Sequence, residues 1–470
     1  MTVSQPTWGS RLLADAKTVH FVGIGGIGMS ALAELLLGRG KRITGSDMKS
    51  SPLVERLEGM GVRVNVGHAG EAVVGADLVV ATSAARSDNP ELVEAQRRGI
   101  PMVKRAELLG WLMSDSYGLA VAGTHGKTTT TGMLAFLLHR AGLDPTALIG
   151  GEPLDFPSHG LLGGSPYLVA EADEFDRSFL QLWPKVAIIT SVEADHLDCY
   201  ADLDDIARAF AEFASRVPQE GLLATCADDP ILKKMRVAAP RESYGLAPEA
   251  DWRIVDIVPV APFGTRFTFE TPAGSRHQCD LQLPGRHYVL DALAAIVAAN
   301  HVGVGPDQAA GMLSAFRGTR RRFELVGEVA GVTLLDDYAH HPTAVEATLR
   351  AARERHQGRI WCVFQPHTVN RTERLLDEFA RSFADADRVL VLPIYHPAGR
   401  EEGESVSSRD LVARMHHPGA HSVGSLAEAA VILEAEAARG DLIITMGAGD
   451  VYKVGEHVLC RLKKKEANGK

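Results

Sequence analysis

The 470-residue sequence is poor in cysteine and contains no long apolar run. Its five cysteines are far apart and lack the paired spacing of a zinc site or a disulfide framework. No stretch approaches the roughly 20 apolar residues that a membrane-spanning helix requires, and the first residues lack the apolar core of a secretory signal. We therefore expect a soluble, cytoplasmic protein with no membrane partner.

The charge balance argues against nucleic acid as a partner. With 49 basic and 59 acidic residues, the formal net charge is -10, whereas neutralising a phosphate backbone requires a basic surface. A hydrophobic content of 46% over this length is enough for several cores. The composition therefore predicts two to four domains.

The first hundred residues alternate strand-like apolar runs with helix-like stretches, which favours a doubly wound parallel sheet. The segment GIGGIGMS follows the first run, and its Gly23, Gly25 and Gly28 have the spacing of a dinucleotide fingerprint. Such glycines let backbone N–H groups approach a diphosphate. Asp47 ends the second run, where a carboxylate can reach a ribose hydroxyl. The alternative is a tight turn without a ligand.

A second glycine-rich segment, GTHGKTTTT, follows the apolar run YGLAVA and precedes a helix-like stretch. Its Gly126, Lys127 and Thr128 supply backbone donors, a cation for phosphates and a hydroxyl for Mg²⁺. Val121 stands where the first glycine of a full P-loop would be, and Gly123 partly compensates. The segment predicts a nucleoside triphosphate site; a helix cap of the same composition is the alternative.

Acidic residues follow two further apolar runs, in the segments EADEFD and EADHLDCY. In a parallel sheet both segments would emerge at the edge where the phosphate loop lies. Carboxylate oxygens suit Mg²⁺, and a neutral imidazole can add a ligand. Apart from Glu171 and His196, each charged residue of these two segments could instead be a solvated loop charge. The full set is Glu171, Asp173, Glu174, Asp176, Glu193, Asp195, His196 and Asp198.

From about Thr18 to about Lys453, the chain resembles the Mur ligase family. The resemblance rests on the two glycine-rich segments and the two acidic segments, together with SDNPEL, RRFE, DDYAHHPT and FQPH in this order. It implies an α/β protein of three domains. These are a Rossmann-like domain over 1–109, a central P-loop ATPase-like domain with a parallel or mixed sheet over 110–318, and a Rossmann-like domain over 319–470.

The C-terminal third supports the last of these domains independently of the resemblance. Its strand-like runs VTLLDD, RIWCVF, RVLVLP and DLIITM are separated by helix-like stretches. This alternation again favours a parallel sheet with helices packed on it.

The motif set is most similar to family members that use ATP and Mg²⁺ to join L-alanine to UDP-N-acetylmuramate. The resemblance implies that the muramate carboxylate attacks the γ-phosphate of ATP, and that the alanine amine then attacks the acyl phosphate. Two alternatives stay open: a murein-recycling ligase that adds an intact tripeptide to the same nucleotide, and an NAD-dependent oxidoreductase that uses the first loop alone. The sequence leaves monomer and dimer equally open.

The resemblance also implies the site residues. The catalytic set is Lys127, His125, Glu171, His196, His340 and His341, and the Mg²⁺ ligands are Thr128, Glu171 and His196. The ATP site comprises Gly123, Thr124, Gly126, Lys127, Thr128, Thr129, His287, Arg322, Asp337 and Tyr338. UDP-N-acetylmuramate and alanine would contact Gly23, Gly25, Gly26, Gly28, Asp47, Ser83, Arg105, His367 and Arg371.

Several of these residues have structural alternatives. His125 could stabilise its own loop, and the pair His340 and His341 could start a helix with one buried ring. The arginines of GTRRRFE (Arg320, Arg321 and Arg322) could be solvated linker charges, and Arg371 could be a solvated surface residue.

The chain also departs from the family pattern. Tyr288 and Asp291 stand where the family usually has asparagines that contact adenine, and Thr368 stands where many relatives have arginine.

Overall fold

The computed structural model describes residues 7–195, 199–396 and 405–468. These residues form three sheets, each flanked by helices. The chain divides into two compact units. Unit 1 comprises Met1–Asp256, Phe267–Asp280 and Leu290–Arg317, and unit 2 comprises Ile257–Arg266, Leu281–Val289 and Gly318–Lys470.

The first sheet is parallel and has five strands in the order β3-β2-β1-β4-β5. Its elements are α1 (Thr7–Asp15), β1 (Thr18–Val22), α2 (Ile27–Gly38), β2 (Arg42–Asp47), α3 (Pro52–Gly59), β3 (Arg63–Val66), β4 (Leu78–Ala81), α4 (Pro90–Arg98), β5 (Met102–Lys104) and α5 (Arg105–Ser114). The predicted β-α alternation is confirmed. Because β1 has β2 on one side and β4 on the other, the loop after β1 lies at a topological switch point, where α/β sheets bind ligands.

The second sheet is mixed and has the strand order β15-β14-β13-β12-β11-β10-β6-β9-β7-β8. Its elements are β6 (Tyr117–Ala122), α6 (Lys127–Arg140), β7 (Thr146–Leu148), β8 (Gly160–Leu161), β9 (Tyr167–Glu171), β10 (Val186–Ile189), α7 (Leu203–Ala214), β11 (Leu222–Cys226), α8 (Pro230–Lys234), β12 (Arg241–Gly245), β13 (Trp252–Val260), β14 (Gly264–Glu270), β15 (Arg276–Leu281), α9 (Arg286–His301) and α10 (Pro306–Leu313). Strand β6 lies between β9 and β10 and is parallel to both. The loop after β6 and the two acidic segments therefore leave the sheet at one edge, as predicted.

The third sheet has the order β16-β17-β21-β18-β19-β20 and is parallel except for the pair β16 and β17. Its elements are β16 (Glu324–Val329), β17 (Val332–Asp337), α11 (Pro342–Arg353), β18 (Ile360–Phe364), α12 (Val369–Arg374), α13 (Leu376–Arg381), β19 (Arg388–Val391), α14 (Ser408–Arg414), β20 (Ala420–Ser422), α15 (Leu426–Glu436), β21 (Leu442–Met446) and α16 (Tyr452–Asn468). The four predicted runs form β17, β18, β19 and β21. Loops that leave β17, β18 and β21 therefore meet at one edge.

The central strands of all three sheets are buried, because helices cover both faces of each parallel region. Helix α6 is the clearest case, since its residues Thr128–Leu138 are all buried. Among the described residues, no helix combines the length and apolar character needed to cross a membrane. The predicted α/β class with three domains is confirmed, and residue 109, the end of the first predicted domain, lies inside α5.

Candidate active site

The loop after β1 is held by the end of β2. The Gly23 and Ile24 amides donate hydrogen bonds of 2.8 and 2.9 Å to the Ser46 carbonyl. The Gly25 amide donates to Asp47 Oδ2 at 2.9 Å. The carboxylate that was predicted to reach a ribose hydroxyl thus holds the glycine loop in this structure.

Two glycines of this loop are needed because a side chain would not fit, and Gly23 is needed for its conformation as well. Gly23 has a φ of +81°, and a Cβ there would lie 2.7 Å from the Thr82 methyl group. A Cβ at Gly25 would lie 2.9 Å from Asp47 Oδ2. Gly26 is the N-cap of α2 and has room for a side chain. Ser83, predicted to contact the same ligand, is exposed beside Thr82.

Arg105 links this loop to the acidic segment after β9. A Cβ at Gly28 would lie 3.1 Å from an Arg105 guanidinium nitrogen. Another nitrogen of the same guanidinium lies 3.7 Å from Asp173 Oδ2, and the arginine side chain is 25% exposed. The partly exposed guanidinium of Arg105 therefore lies between the first glycine-rich segment and the acidic segment after β9.

The loop between β6 and α6 is a close-packed backbone turn. Gly123 has a φ of +134°, and a Cβ there would overlap the Thr190 hydroxyl. Gly126 has a φ of +79°, and a Cβ there would overlap the Asp291 carboxylate. Asp291, which replaces an expected asparagine, therefore packs directly against the loop. These contacts leave the backbone N–H groups at the start of α6 in the geometry that binds phosphate.

The segment after β10 holds this loop from the other side. The Thr124 amide donates to the Ser191 carbonyl at 2.9 Å, and the His125 amide donates to Ser191 Oγ at 3.1 Å. The Glu193 amide donates to Thr124 Oγ1 at 2.9 Å. His125 Nε2 lies 3.2 Å from Glu193 Oε2. Glu193, one of the candidate metal ligands, thus orients the imidazole of His125.

Lys127 is paired with Glu174 inside the protein. Its ammonium donates to Glu174 Oε2 at 2.8 Å, to Oε1 at 2.9 Å and to the Gly123 carbonyl at 2.6 Å. Burial raises the pKa of the Glu174 carboxyl to about 7, and the attraction of Lys127 only partly offsets this. The lysine predicted to bind phosphate therefore already has an anionic partner.

The remaining acids of the first acidic segment differ in their partners. Glu171 ends β9 beside Val121 of β6, and its Oε1 accepts a 2.6 Å hydrogen bond from the Gly150 amide. Asp176 lies 3.0 Å from Lys104 Nζ. Asp176 is therefore a paired loop charge, and Glu171 stays the best placed carboxylate for a metal.

The donor set at this edge suits Mg²⁺. Thr128 is the second residue of α6 and is buried. Glu171 is the last residue of β9, the strand that pairs with β6. Hydroxyl and carboxylate oxygens are the ligands that Mg²⁺ prefers. His196 and Asp198 lie outside the described residues. Thr129, the next residue of the predicted ATP site, is also buried in α6.

In unit 2, Tyr338 lies between two arginines. The guanidinium carbons of Arg321 and Arg322 lie 5.1 and 4.9 Å from its ring centroid, within the range of a cation–π interaction. Arg321 also forms a 2.9 Å ion pair with Asp336. The RRFE arginines are therefore not solvated linker charges.

Asp337 holds its own loop. Its carboxylate accepts hydrogen bonds from the Phe323 amide at 2.8 Å and the Ala339 amide at 2.7 Å. Burial raises the pKa of this carboxyl to about 6. The residue predicted to contact the ATP ribose thus has a structural task in this structure.

Three aromatic rings pack together at the same edge of the third sheet, with His340 edge-on to His367 and Tyr395 stacked on it. The His340 and His367 centroids are 5.8 Å apart, and the His367 and Tyr395 rings are nearly parallel at 5.6 Å. His340 Nδ1 lies 2.9 Å from the Tyr338 carbonyl oxygen. Tyr395 was not assigned a role from the sequence, because its partner His367 lies 28 residues away along the chain.

The other predicted residues of unit 2 lie in helices or directly before them. His341 is buried and precedes α11 as its N-cap residue, and Arg371 lies on α12. Thr368 is buried and has a φ of +66°. His287 and Tyr288 have ring centroids 4.1 Å apart.

Three segments of the chain match models of one protein family. Residues 18–117 match the catalytic domain model of the Mur ligase family, 121–299 match the Mur ligase middle domain, and 321–449 match the Mur ligase glutamate ligase domain. The first and third segments contain the first and third sheets, and the second segment contains the second sheet apart from most of β6.

Full-length relatives carry related names. The UDP-N-acetylmuramate–L-alanine ligase of Solibacter usitatus is 46% identical over 451 residues, which cover 95% of each chain. The ligase of the same name from Geotalea uraniireducens is 42% identical over 457 residues, which cover 95% of this chain and 98% of the relative.

Solved structures agree with these matches. The UDP-N-acetylmuramate–alanine ligase of Thermotoga maritima superposes with a TM-score of 0.81 at 27% identity, covering 95% of this chain and 99% of that one. A murein peptide ligase of Psychrobacter arcticus has a TM-score of 0.72 at 29% identity, covering 95% and 98%. With all three domain models matched and relatives above 40% identity over nearly the whole chain, this protein belongs to the Mur ligase family.

Proposed function

We propose that this protein is an ATP-dependent ligase that joins L-alanine to UDP-N-acetylmuramate during the synthesis of peptidoglycan precursors. The observation that carries this proposal is the full-length identity of 46% to a ligase of that name, together with a phosphate loop whose lysine and glycines are in place. The reaction belongs to the class of ATP-driven amide-bond formation.

The proposed division of labour follows the three sheets. Residues 1–109 bind the sugar nucleotide, 110–318 bind ATP, and 319–470 bind the amino acid and part of the nucleotide. The first boundary falls within α5, so this helix would join the first two domains.

The first step needs an anionic carboxylate to approach an anionic triphosphate. The muramate carboxylate oxygen attacks the γ-phosphorus, the bond to the bridging oxygen breaks, and ADP leaves with its electron pair. Backbone N–H groups at Gly126 and the ammonium of Lys127 would bind the phosphates and reduce their repulsion. To do so, Lys127 must exchange Glu174 for a phosphate oxygen. Mg²⁺ held by Thr128, Glu171 and His196 would add positive charge at the same place.

The second step joins the amino acid. The alanine amine attacks the acyl carbon, the C–O bond to phosphate breaks, and inorganic phosphate leaves as the amine loses a proton. We assign His367 and Arg371 to the alanine carboxylate, since a guanidinium binds carboxylate through two hydrogen bonds. We also assign His340 and His341 to the reacting groups, and His125, oriented by Glu193, to the transferred phosphate.

The first glycine loop would take the UDP end of the sugar nucleotide. Gly23 and Gly25 have no side chain that would keep a ligand away from the loop backbone. Arg105 offers a partly exposed cation beside Gly28. A diphosphate bound by this loop and this arginine would direct the sugar toward the acidic segment that Arg105 also contacts. Tyr338 and its two arginines would hold the ATP base, with His287 completing that end.

The tripeptide-adding ligase is the second candidate in the family, because a murein peptide ligase shares the fold with a TM-score of 0.72. The alanine ligase is favoured by the higher TM-score of 0.81 to its Thermotoga relative. An NAD-dependent oxidoreductase would leave Lys127 and Glu171 without a task, since hydride transfer uses no triphosphate loop.

One assay separates these functions. Phosphate release from ATP is measured with UDP-N-acetylmuramate and, in turn, L-alanine, other amino acids and the tripeptide. We expect release that depends on L-alanine; release with the tripeptide alone would select the recycling ligase, and no release with any amine would refute the ligase assignment.

A pair of variants connects that assay to the phosphate loop. Lys127→Ala should abolish phosphate release and leave UDP binding intact. Lys185→Ala is the matched control, because Lys185 also pairs with a glutamate, Glu220, at 2.8 Å but lies outside the loop.

A further inference from the structure

Glu91 is a completely buried carboxylate that the proposed reaction does not use. It lies in the first turn of α4, in the segment SDNPEL, and has no exposed surface. Its backbone amide donates a hydrogen bond to Asn89 Oδ1 at 2.9 Å. Burying a carboxylate costs several kcal/mol unless other groups compensate, so its retention calls for an explanation.

Three side chains from the neighbouring strands and loops face this carboxylate. Ser46 Oγ donates to Glu91 Oε2 at 2.6 Å. His68 Nδ1 lies 3.4 Å and His20 Nε2 lies 3.6 Å from the same oxygen. Burial by itself would raise the pKa of Glu91, but the nearby His20 and His68 side chains and the hydrogen bond from Ser46 hold it below its ordinary value. Glu91 is therefore an anion inside the domain.

The partners of Glu91 are themselves fixed in the sheet. His20 is on β1, and its Nδ1 lies 2.9 Å from the Thr44 hydroxyl on β2. Ser46 is on β2, and its Oγ also lies 3.1 Å from His68 Nδ1. The carboxylate thus ties α4 to β1 and β2, the strands that carry His20 and Ser46.

Ser46 connects this cluster to the first glycine loop. While its hydroxyl is bound to Glu91, its carbonyl accepts the Gly23 and Ile24 amides at 2.8 and 2.9 Å. The next residue, Asp47, accepts the Gly25 amide. Three successive amides of the loop therefore depend on the position of two residues at the end of β2, and one of those two is anchored by Glu91.

We infer that Glu91 is a positioning residue for the sugar-nucleotide diphosphate: through Ser46 it holds the loop Gly23–Gly28 in the conformation that receives the ligand. This inference rests on the proposed function of that loop. It explains why a charged group is retained in the interior, because a neutral side chain would bind Ser46 and two imidazoles less strongly than an anion does.

The test compares variants of one helix. Glu91→Gln keeps the shape of the side chain and removes its charge, and Ser46→Ala removes the link while keeping the carbonyl. Glu94→Gln is the matched control, since Glu94 is also on α4 but pairs with Arg97 and Arg98 at the surface.

Two measurements are made on each full-length variant: the Kd for UDP and for ATP by calorimetry, and hydrogen exchange of the peptide 20–29 by mass spectrometry. For Glu91→Gln and Ser46→Ala we expect UDP to bind about tenfold more weakly, which is about 1.4 kcal/mol, with the ATP Kd unchanged. Exchange of the loop should accelerate in both. The control should match the wild type.

Equal UDP affinity and equal loop exchange in both variants would overturn the inference. A uniform loss of UDP and ATP binding would also overturn it, because a merely structural role damages both sites. If Glu91→Gln does not fold, Ser46→Ala alone decides, since it removes a single hydroxyl. If the wild type does not bind UDP, the proposed function of the loop fails, whereas loop exchange still reports whether Glu91 holds it.

Discussion

The ammonium of Lys127 lies 2.8 Å from Oε2 of Glu174; the glutamate side chain is buried and the lysine side chain is 17% exposed. The lysine that the phosphate loop offers to a triphosphate is thus already neutralised by the protein. Phosphate and carboxylate must compete for one cation, so the affinity for ATP depends on how strongly Glu174 holds it.

Replacing Glu174 by glutamine should strengthen ATP binding at pH 8 by about threefold to tenfold, roughly 0.6 to 1.4 kcal/mol. The amide cannot carry the negative charge that competes with phosphate. The Kd for ATP, measured by calorimetry without the other substrates, checks this. Unchanged or weaker binding would show that Glu174 orients Lys127 and does not compete with the nucleotide.

The same pair predicts a pH dependence. The pKa of Glu174 is raised to about 7, so the carboxyl loses its charge as the pH falls through 7 and competes less. ATP affinity of the wild type should therefore approach that of Glu174→Gln between pH 8 and pH 6. Comparing the two proteins cancels the titration of ATP itself, and a constant ratio of their Kd values across this range would contradict the assignment.

The turn at Gly123 should not tolerate alanine. The φ of +134° and the contact with Thr190 require both a glycine conformation and the absence of a Cβ. Gly123→Ala should abolish detectable ATP binding and lower the midpoint of thermal unfolding. Gly142→Ala is the matched control, because its φ is +77° but nothing lies within 4 Å of its Cβ. We expect the control to cost about 1 kcal/mol of stability with ATP binding retained; equal losses of ATP binding would show that φ alone matters.

The stacking of Tyr395 on His367 predicts an effect on the amino acid. Tyr395→Ala removes the ring that packs 5.6 Å from the imidazole, and aromatic pairs contribute about 0.5 to 1.5 kcal/mol. The KM for L-alanine should rise about threefold to tenfold while the KM for ATP stays unchanged. Tyr395→Phe keeps the ring and should restore the wild-type value. A phenylalanine variant as impaired as the alanine variant would assign the role to the hydroxyl.

Arg321 should be needed for the stability of unit 2. Its guanidinium bonds Asp336 at 2.9 Å, the Gly447 carbonyl at 2.6 Å and the Gly449 carbonyl at 3.1 Å. A lysine ammonium cannot reach all three acceptors, and a buried polar group left without its hydrogen bond costs about 1 to 3 kcal/mol. Arg321→Lys should lower the unfolding midpoint by several degrees.

The control for that variant is its neighbour in sequence. Arg320 is 53% exposed and pairs with Glu324 at 3.0 Å, and exposed pairs contribute about 0 to 1 kcal/mol. Arg320→Lys should therefore unfold at nearly the wild-type temperature. Equal shifts in the two variants would mean that the network of Arg321 adds no stability.

The chain's local patterns were enough to predict the strands and the two loops. Short apolar runs followed by glycines and helix formers indicate a β-α turn. The spacing of Gly126, Lys127 and Thr128 predicts a phosphate site by itself, because these neighbouring residues supply the backbone donors, the cation and the hydroxyl. The alternation of such units predicted parallel sheets flanked by helices, because parallel strands need helical crossovers, and the family resemblance implied the number of domains.

The partners of the site residues could not be predicted in the same way. Glu174 reaches Lys127 because β9 lies beside β6, and Arg105 contacts Asp173 although 68 residues separate them. Asp47 and Asp337 were predicted to contact nucleotides; in the structure Asp47 accepts the Gly25 amide, and Asp337 accepts the Phe323 and Ala339 amides. Composition and spacing carry no information about which acid among several will meet a given cation.

The sequence alone determined the class of the fold, the two phosphate loops and the family, because glycine spacing, apolar periodicity and short motifs are local properties of a chain. Only the tertiary structure decided that Glu174 neutralises Lys127, that Tyr395 supports His367 and that Glu91 anchors the first loop through Ser46. Those relationships depend on strand order and on burial, since a charge or a ring acquires its partner only when distant segments are packed together and water is removed.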